Sequence, residues 1–186
     1  MYICFCCQAL STDVWKQKQY NKWITKNKYN MVTLNQIQEF LAPRKMAMAG
    51  VSRNPKKFGG AIFKELKEKG FELYPINPNA EEIQGVKCYK SVEELPDDVE
   101  HLLIVTPKYE TELVARAAVK KGVKMVWIQQ QSDSPEAVKV IDDAGIPLIY
   151  KKCIMMFADP VKSVHGFHRF LSKTFGGYPK LVFSAN

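Results

Sequence analysis

The sequence predicts an α/β fold, a doubly wound parallel sheet of Rossmann-like type in a single domain, and three observations carry that prediction. From Lys45 onward, short apolar runs alternate with helical patterns, the order expected of parallel strands with helices on both faces. Glycine closes three of the helical patterns, at Lys69-Gly70, Lys121-Gly122 and Ala144-Gly145, and an apolar run follows each, as a left-handed helix stop requires. Finally, the stretch Lys45–Gly60, KMAMAGVSRNPKKFGG, reads as a strand, a glycine turn and the start of a helix. In such sheets that turn lies at the carboxyl ends of the strands and leaves backbone N–H groups free for phosphate.

The first element before the sheet is a short helix. Thr33-Leu34-Asn35-Gln36 has capping-box spacing, Leu34, Ile37, Phe40 and Leu41 share one face, and Pro43 ends the pattern. Strands are then expected at Lys45–Ala49, Glu72–Ile76, a short Val86–Tyr89, His101–Val105, Lys124–Ile128 and Pro147–Ile149. Helices are expected at Gly60–Lys69, Val92–Leu95, Glu110–Lys121 and Pro135–Ala144. Six strands with a weak third suggest the order 3-2-1-4-5-6. The chain then reverses between the first and fourth strands, opening a crevice between the Gly50 turn and the Thr106-Pro107 turn. After Asp159-Pro160, the residues Val161, Val164, Phe167, His168 and Leu171 form a helical stripe suited to covering the sheet or a partner subunit, and Gly176-Gly177-Tyr178-Pro179 ends it.

Composition sets the broad class. With 186 residues, 46% of them hydrophobic, the chain holds enough apolar material for one well-cored domain. No apolar run reaches the roughly 18 residues of a membrane span, and the N-terminus lacks the order of a secretory signal, so a cytoplasmic protein without membrane contact is expected. The net charge of +8 is unevenly placed, since residues 1–30 carry five lysines against one aspartate and so account for half of it. The remainder is too mild for a nucleic-acid partner and suits a small anionic ligand. Residues 1–30 are Lys-, Gln- and Asn-rich beyond a short apolar start and show no sustained helical stripe; they read as an extension upstream of a natural start at Met31, the alternative being a true flexible arm, with residues 31–186 forming the domain. Five cysteines, three of them among the first seven residues, complete no zinc pattern, and free thiols are expected.

The sequence argues against a nicotinamide dinucleotide as the ligand of this crevice. The turn is longer than G-x-G-x-x-G, and Pro75-Ile76-Asn77-Pro78 stands where a carboxylate would bond a ribose diol. Arg53, Lys56 and Lys57 place three cations in the turn, more than one pyrophosphate on a helix end needs, and a ligand with an additional phosphate would use them. The bland alternative is a solvated basic loop.

Gly50-Val51-Ser52 with Phe58-Gly59, Pro75-Ile76-Asn77-Pro78, Val105-Thr106-Pro107, Trp127-Ile128-Gln129 and Lys152-Cys153-Ile154-Met155 recur in this order in the CoA-binding domain proteins, which the chain resembles from about Gln36 to Pro160. These are similar to the N-terminal domain of the succinyl-CoA synthetase alpha subunit. The resemblance implies that Gly50, Val51, Ser52, Lys57, Phe58 and Gly59 line the phosphates and that Asn77 and Pro78 flank the adenosine half. It further implies Thr106 and Pro107 at the crevice floor and Ile128 and Gln129 along the pantetheine, although the synthetase has an acidic residue where Gln129 stands. The synthetase also needs a phosphorylated histidine in a second domain and a nucleotide-binding partner subunit, so the resemblance implies binding of CoA or an acyl-CoA without the ligase reaction.

Other candidates are weaker. His165 and His168 lie three apart with no further ligand in register, a poor metal site. Cys153 follows the last strand and belongs at the ligand-bearing edge, where Lys151 and Lys152 would favour its thiolate if it were exposed, while burial would make it inert. No nucleophile–base order is arguable, and the acidic pairs Glu81-Glu82, Glu93-Glu94, Asp97-Asp98 and Asp142-Asp143 read as solvated charge. The expectation is a carrier, sensor or regulatory protein that binds CoA without turnover, as a homodimer or with a protein partner. The alternatives are a nicotinamide- or other nucleotide-dependent oxidoreductase and an interaction module with a vestigial crevice.

Overall fold

The computed structural model describes residues 32–161 and 178–180. The chain divides into two units, Met1–Val32 and Thr33–Asn186, and every element below belongs to the second. Strands are β1 (Lys45–Ala49), β2 (Glu72–Ile76), β3 (Glu82–Ile83), β4 (Val86–Lys87), β5 (His101–Ile104), β6 (Met125–Gln129) and β7 (Leu148–Lys152). Helices are α1 (Leu34–Leu41), α2 (Phe58–Glu68), α3 (Lys108–Lys121) and α4 (Pro135–Asp143), with a 3-10 turn at Ile154–Met156. Five strands form one parallel sheet in the order β2-β1-β5-β6-β7. That is the expected order with the third strand missing from its outer edge.

The missing strand is a correction with a visible cause. Val86–Tyr89 does not extend along β2. Val86 and Lys87 instead fold back on Glu82 and Ile83 as a small antiparallel ribbon around Gln84-Gly85, whose backbones both take positive φ. Only Tyr89 reaches the sheet, in a single parallel bridge to Ile76. Val92–Leu95 is likewise a turn and not a helix. Four residues between Ser91 and Pro96 are too few to repay helix nucleation, although Val92 and Leu95 are both buried. The stripe from Val164 to Leu171, with His165 and His168, lies outside the described residues, as do residues 1–30.

The sheet is buried on both faces. One side packs Ala47, Ala49, Leu102, Ile104, Val126 and Ile128 against Ala115 and Ala118 of α3 and Ala137 and Ile141 of α4. Small alanines let these helices approach the strands closely. On the opposite side α1 contributes Ile37 and Phe40, and α2 contributes Ile62, Phe63 and Leu66, all buried. The capping box of α1 forms as the spacing predicts: Gln36 N–H donates to Thr33 Oγ1 at 3.2 Å, and Thr33 N–H donates to Gln36 Oε1 at 3.0 Å. An aromatic seam joins α1 to the C-terminal half of the sheet. Phe40 stacks on His101 at 5.2 Å and meets Trp127 edge-on at 5.4 Å, Trp127 contacts Phe157 at 6.0 Å, and Phe157 contacts Tyr178 at 5.3 Å.

Candidate functional site

The carboxyl ends of all five sheet strands face the same edge, and the loops leaving them carry the residues singled out above. The β1–α2 turn is built on close backbone contacts. Gly50 has φ +86, and a Cβ there would lie 2.7 Å from Thr106 N; a Cβ on Gly59 would lie 2.3 Å from Gly50 O. Both glycines are therefore required by neighbouring backbone, which brings the start of α2, the Gly50 turn and the Thr106 turn into contact. Within the loop Asn54 N–H donates to Ser52 Oγ at 3.1 Å and Lys56 N–H donates to Asn54 Oδ1 at 2.9 Å. Lys57 occupies the N-cap of α2, no side chain caps the helix, and its first turn holds no acidic residue. Arg53, Lys56, Lys57 and Phe58 are exposed, and none of the three cations pairs with a carboxylate among the described residues. A basic loop beside an uncapped helix start is an anion-binding arrangement.

Asn77, at the end of β2, ties two loops together. Its Nδ2–H donates to Val51 O at 2.8 Å and its Oδ1 accepts from Asn79 N–H at 2.8 Å, while Pro78 beside it is exposed. After β5, Val105 N–H donates to Ala49 O at 2.9 Å, and Thr106 is buried while Pro107 is exposed. Thr106 Oγ1 lies 3.0 Å from Thr111 Oγ1, and the Thr111 hydroxyl donates to Ser132 O at 2.8 Å. Thr111 and Ser132 were not singled out from the sequence. A hydroxyl one turn into the helix that follows Thr106-Pro107 was the available signal.

Ile128 and Gln129 have no exposed surface, so their side chains do not line the crevice. The Gln129 amide turns inward: Nε2–H donates to Cys153 Sγ at 3.1 Å and Oε1 accepts from Ile154 N–H at 3.1 Å. Cys153 is a half-buried free thiol. The two adjacent lysines differ. Lys151 is exposed with its ammonium 5.3 Å over the Tyr150 ring, and burial pushes the Lys152 amine below its ordinary range. Cys88, the other described thiol, is buried behind Asn77, and burial pushes it up. Away from this edge, a groove of about 590 Å³ runs between α3 and α4. Four of its charges pair with each other, Arg116 with Glu112 at 2.7 Å and Lys139 with Asp143 at 2.7 Å. Among the described residues no cluster of His, Cys, Asp and Glu could hold a metal ion, and no helix is long and apolar enough to cross a membrane.

A family model described as a CoA binding domain matches residues 44–159. The chain is 37% identical over 129 residues to the alpha subunit of an ADP-forming acetate–CoA ligase II from Pyrococcus furiosus, a match that covers 63% of this chain and 28% of that one. It spans between 12% and 28% of the first ligases it matches. Among solved structures, a conserved hypothetical protein from Pyrococcus furiosus is 44% identical with a TM-score of 0.58, covering 60% of this chain and 96% of the other. A hypothetical protein from Pyrococcus horikoshii is 36% identical with a TM-score of 0.63, covering 67% of this chain and 88% of the other.

Proposed function

The chain belongs to the CoA-binding domain family, and from that premise we propose that it binds CoA or an acyl-CoA across the loops that leave β1, β2, β5, β6 and β7, as a carrier, sensor or regulatory protein without turnover of its own. The observation that carries this reading is the β1–α2 turn, where Arg53, Lys56 and Lys57 stand exposed beside an uncapped helix start. Backbone N–H groups of Val51, Ser52, Phe58 and Gly59 with the Lys57 ammonium receive the phosphates. Asn77 and Pro78 flank the adenosine half, and Thr106 and Pro107 form the floor. Ile128 and Gln129 meet the pantetheine only through backbone and through the turn they hold, and Cys153 stands at its far end. Asn77 leaves no carboxylate for a ribose diol, which weighs against the oxidoreductase alternative. Residues 31–186 act as the binding domain, with 1–30 appended to it.

Isothermal calorimetry with CoA, acetyl-CoA and NADH tests the reading, together with native mass spectrometry for a retained CoA species. Binding of the CoA ligands and not of NADH is expected; the reverse would overturn it. The ligase relatives favour a second reading, in which this domain works beside separate chains that supply the rest of an acyl-CoA ligase. ADP-forming ligase activity that appears only on addition of such a chain would support it.

A further inference from the structure

Gln129 is a fully buried polar side chain at the end of β6, where an apolar residue would fill the space without needing partners. Its partners fix its orientation. The Ile154 N–H can only donate, so Oε1 must face it, and Nε2 is left facing Cys153 Sγ, each contact at 3.1 Å. The Lys152 carbonyl holds the same turn again, since the Gln130 backbone N–H and the Trp127 indole Nε1–H both donate to it at 3.1 Å. In the other direction the Gln129 carbonyl accepts from Ser132 N–H at 2.9 Å, and Ser132 O accepts from Thr111. A continuous hydrogen-bonded chain thus runs from Thr106 to Cys153, and the Gln129 side chain carries it from β6 to the turn that follows β7.

We propose that Gln129 is a positioning residue that acts on the ligand through Cys153 and Ile154, fixing the end of the crevice that receives the pantetheine arm. The inference rests on the CoA reading above. The cations sit on the β1 turn, and β7 is three strand spacings further along the edge, about 14 Å. With the adenosine half at Asn77 and Pro78 on the β2 side of the cations, as proposed above, the flexible arm of the ligand runs the other way, toward the Gln129 turn. Gln129→Leu leaves the Ile154 N–H buried without an acceptor and lets the turn move; Gln129→Glu keeps that acceptor and loses the donor to Sγ.

The test is calorimetry with two ligands, CoA and 3′-phosphoadenosine 5′-diphosphate, which lacks the pantetheine. The wild-type protein should bind CoA the more tightly. Gln129→Leu should weaken CoA about tenfold, a loss on the scale of one buried hydrogen bond, and leave the nucleotide unchanged, with Gln129→Glu between the two. Should Gln129→Leu fail to melt cooperatively, Gln129→Glu and Cys153→Ala carry the same comparison. Equal weakening of both ligands, or unaltered CoA affinity, overturns the positioning role alone. A wild-type protein that binds neither ligand overturns the CoA reading and this inference with it.

Discussion

Replacing Gly50 by alanine separates two physical effects that usually arrive together. At φ +86 any Cβ pays the left-handed penalty, about 1 kcal/mol. The same Cβ would also stand 2.7 Å from Thr106 N, 2.8 Å from Val105 C and 2.9 Å from Thr106 Cα, three backbone atoms that cannot rotate away. Overpacking of that kind adds ~1–3 kcal/mol, so the total comes to ~2–4 kcal/mol. Gly122 supplies the control, because its φ is +77 and a Cβ there meets nothing within 4 Å. Gly122→Ala should therefore cost about 1 kcal/mol, or roughly 3 °C in melting temperature, and Gly50→Ala two to four times as much. Thermal and urea melts of the two variants measure the difference, which is the contact between the Gly50 and Thr106 turns. Since that contact holds the proposed phosphate loop against the Thr106 turn, CoA affinity should fall with Gly50→Ala and stay unchanged with Gly122→Ala. Equal destabilisation of the two proteins would refute the claim that backbone packing, and not torsion alone, demands glycine at position 50.

Dephospho-CoA should bind more weakly than CoA by on the order of 1–2 kcal/mol, the value of one charge-assisted contact; equal affinities in calorimetry would remove the assignment of Arg53, Lys56 and Lys57 to the additional phosphate. Deleting residues 1–30 should leave both melting temperature and CoA affinity unchanged, and a large drop in either would show that the segment contributes to the domain. CoA disulfide should exchange with Cys153 in the shortened protein, forming a protein–CoA mixed disulfide and releasing one equivalent of CoA thiol. Intact-mass analysis reads this out, and an unchanged adduct in Cys153→Ser would place the reaction elsewhere.

The parts of the fold that could be read from residues alone are those with local causes. Thr33 and Gln36 cap α1, and β1 and β2 begin and end at the residues expected, because glycine and proline punctuate them. The third strand was over-read because Val86–Tyr89 is apolar enough for a strand. The Gln84-Gly85 turn, which decides its partner, competes at short range with pairing to β2. Gln129 misled for a different reason. Polar residues at the ends of buried strands usually face the ligand edge, but every residue of β6 is buried, and its register with β7 shifts between Trp127 and Gln129. The amide therefore answers to Cys153 and Ile154, 24 and 25 residues away, a pairing that no local pattern encodes.

The aromatic seam also makes the protein its own spectrometer. The chain has three tryptophans, and Trp15 and Trp23 both fall within the first thirty residues, so the shortened protein keeps Trp127 as its sole indole. That ring has no solvent exposure, and its N–H donates to the carbonyl of Lys152, immediately before Cys153. Its emission should lie at the blue end of the range for tryptophan. Any movement of the β7 turn alters the polarity at one defined indole nitrogen, so a ligand arriving at the far end of the crevice would register as a wavelength shift without any added dye.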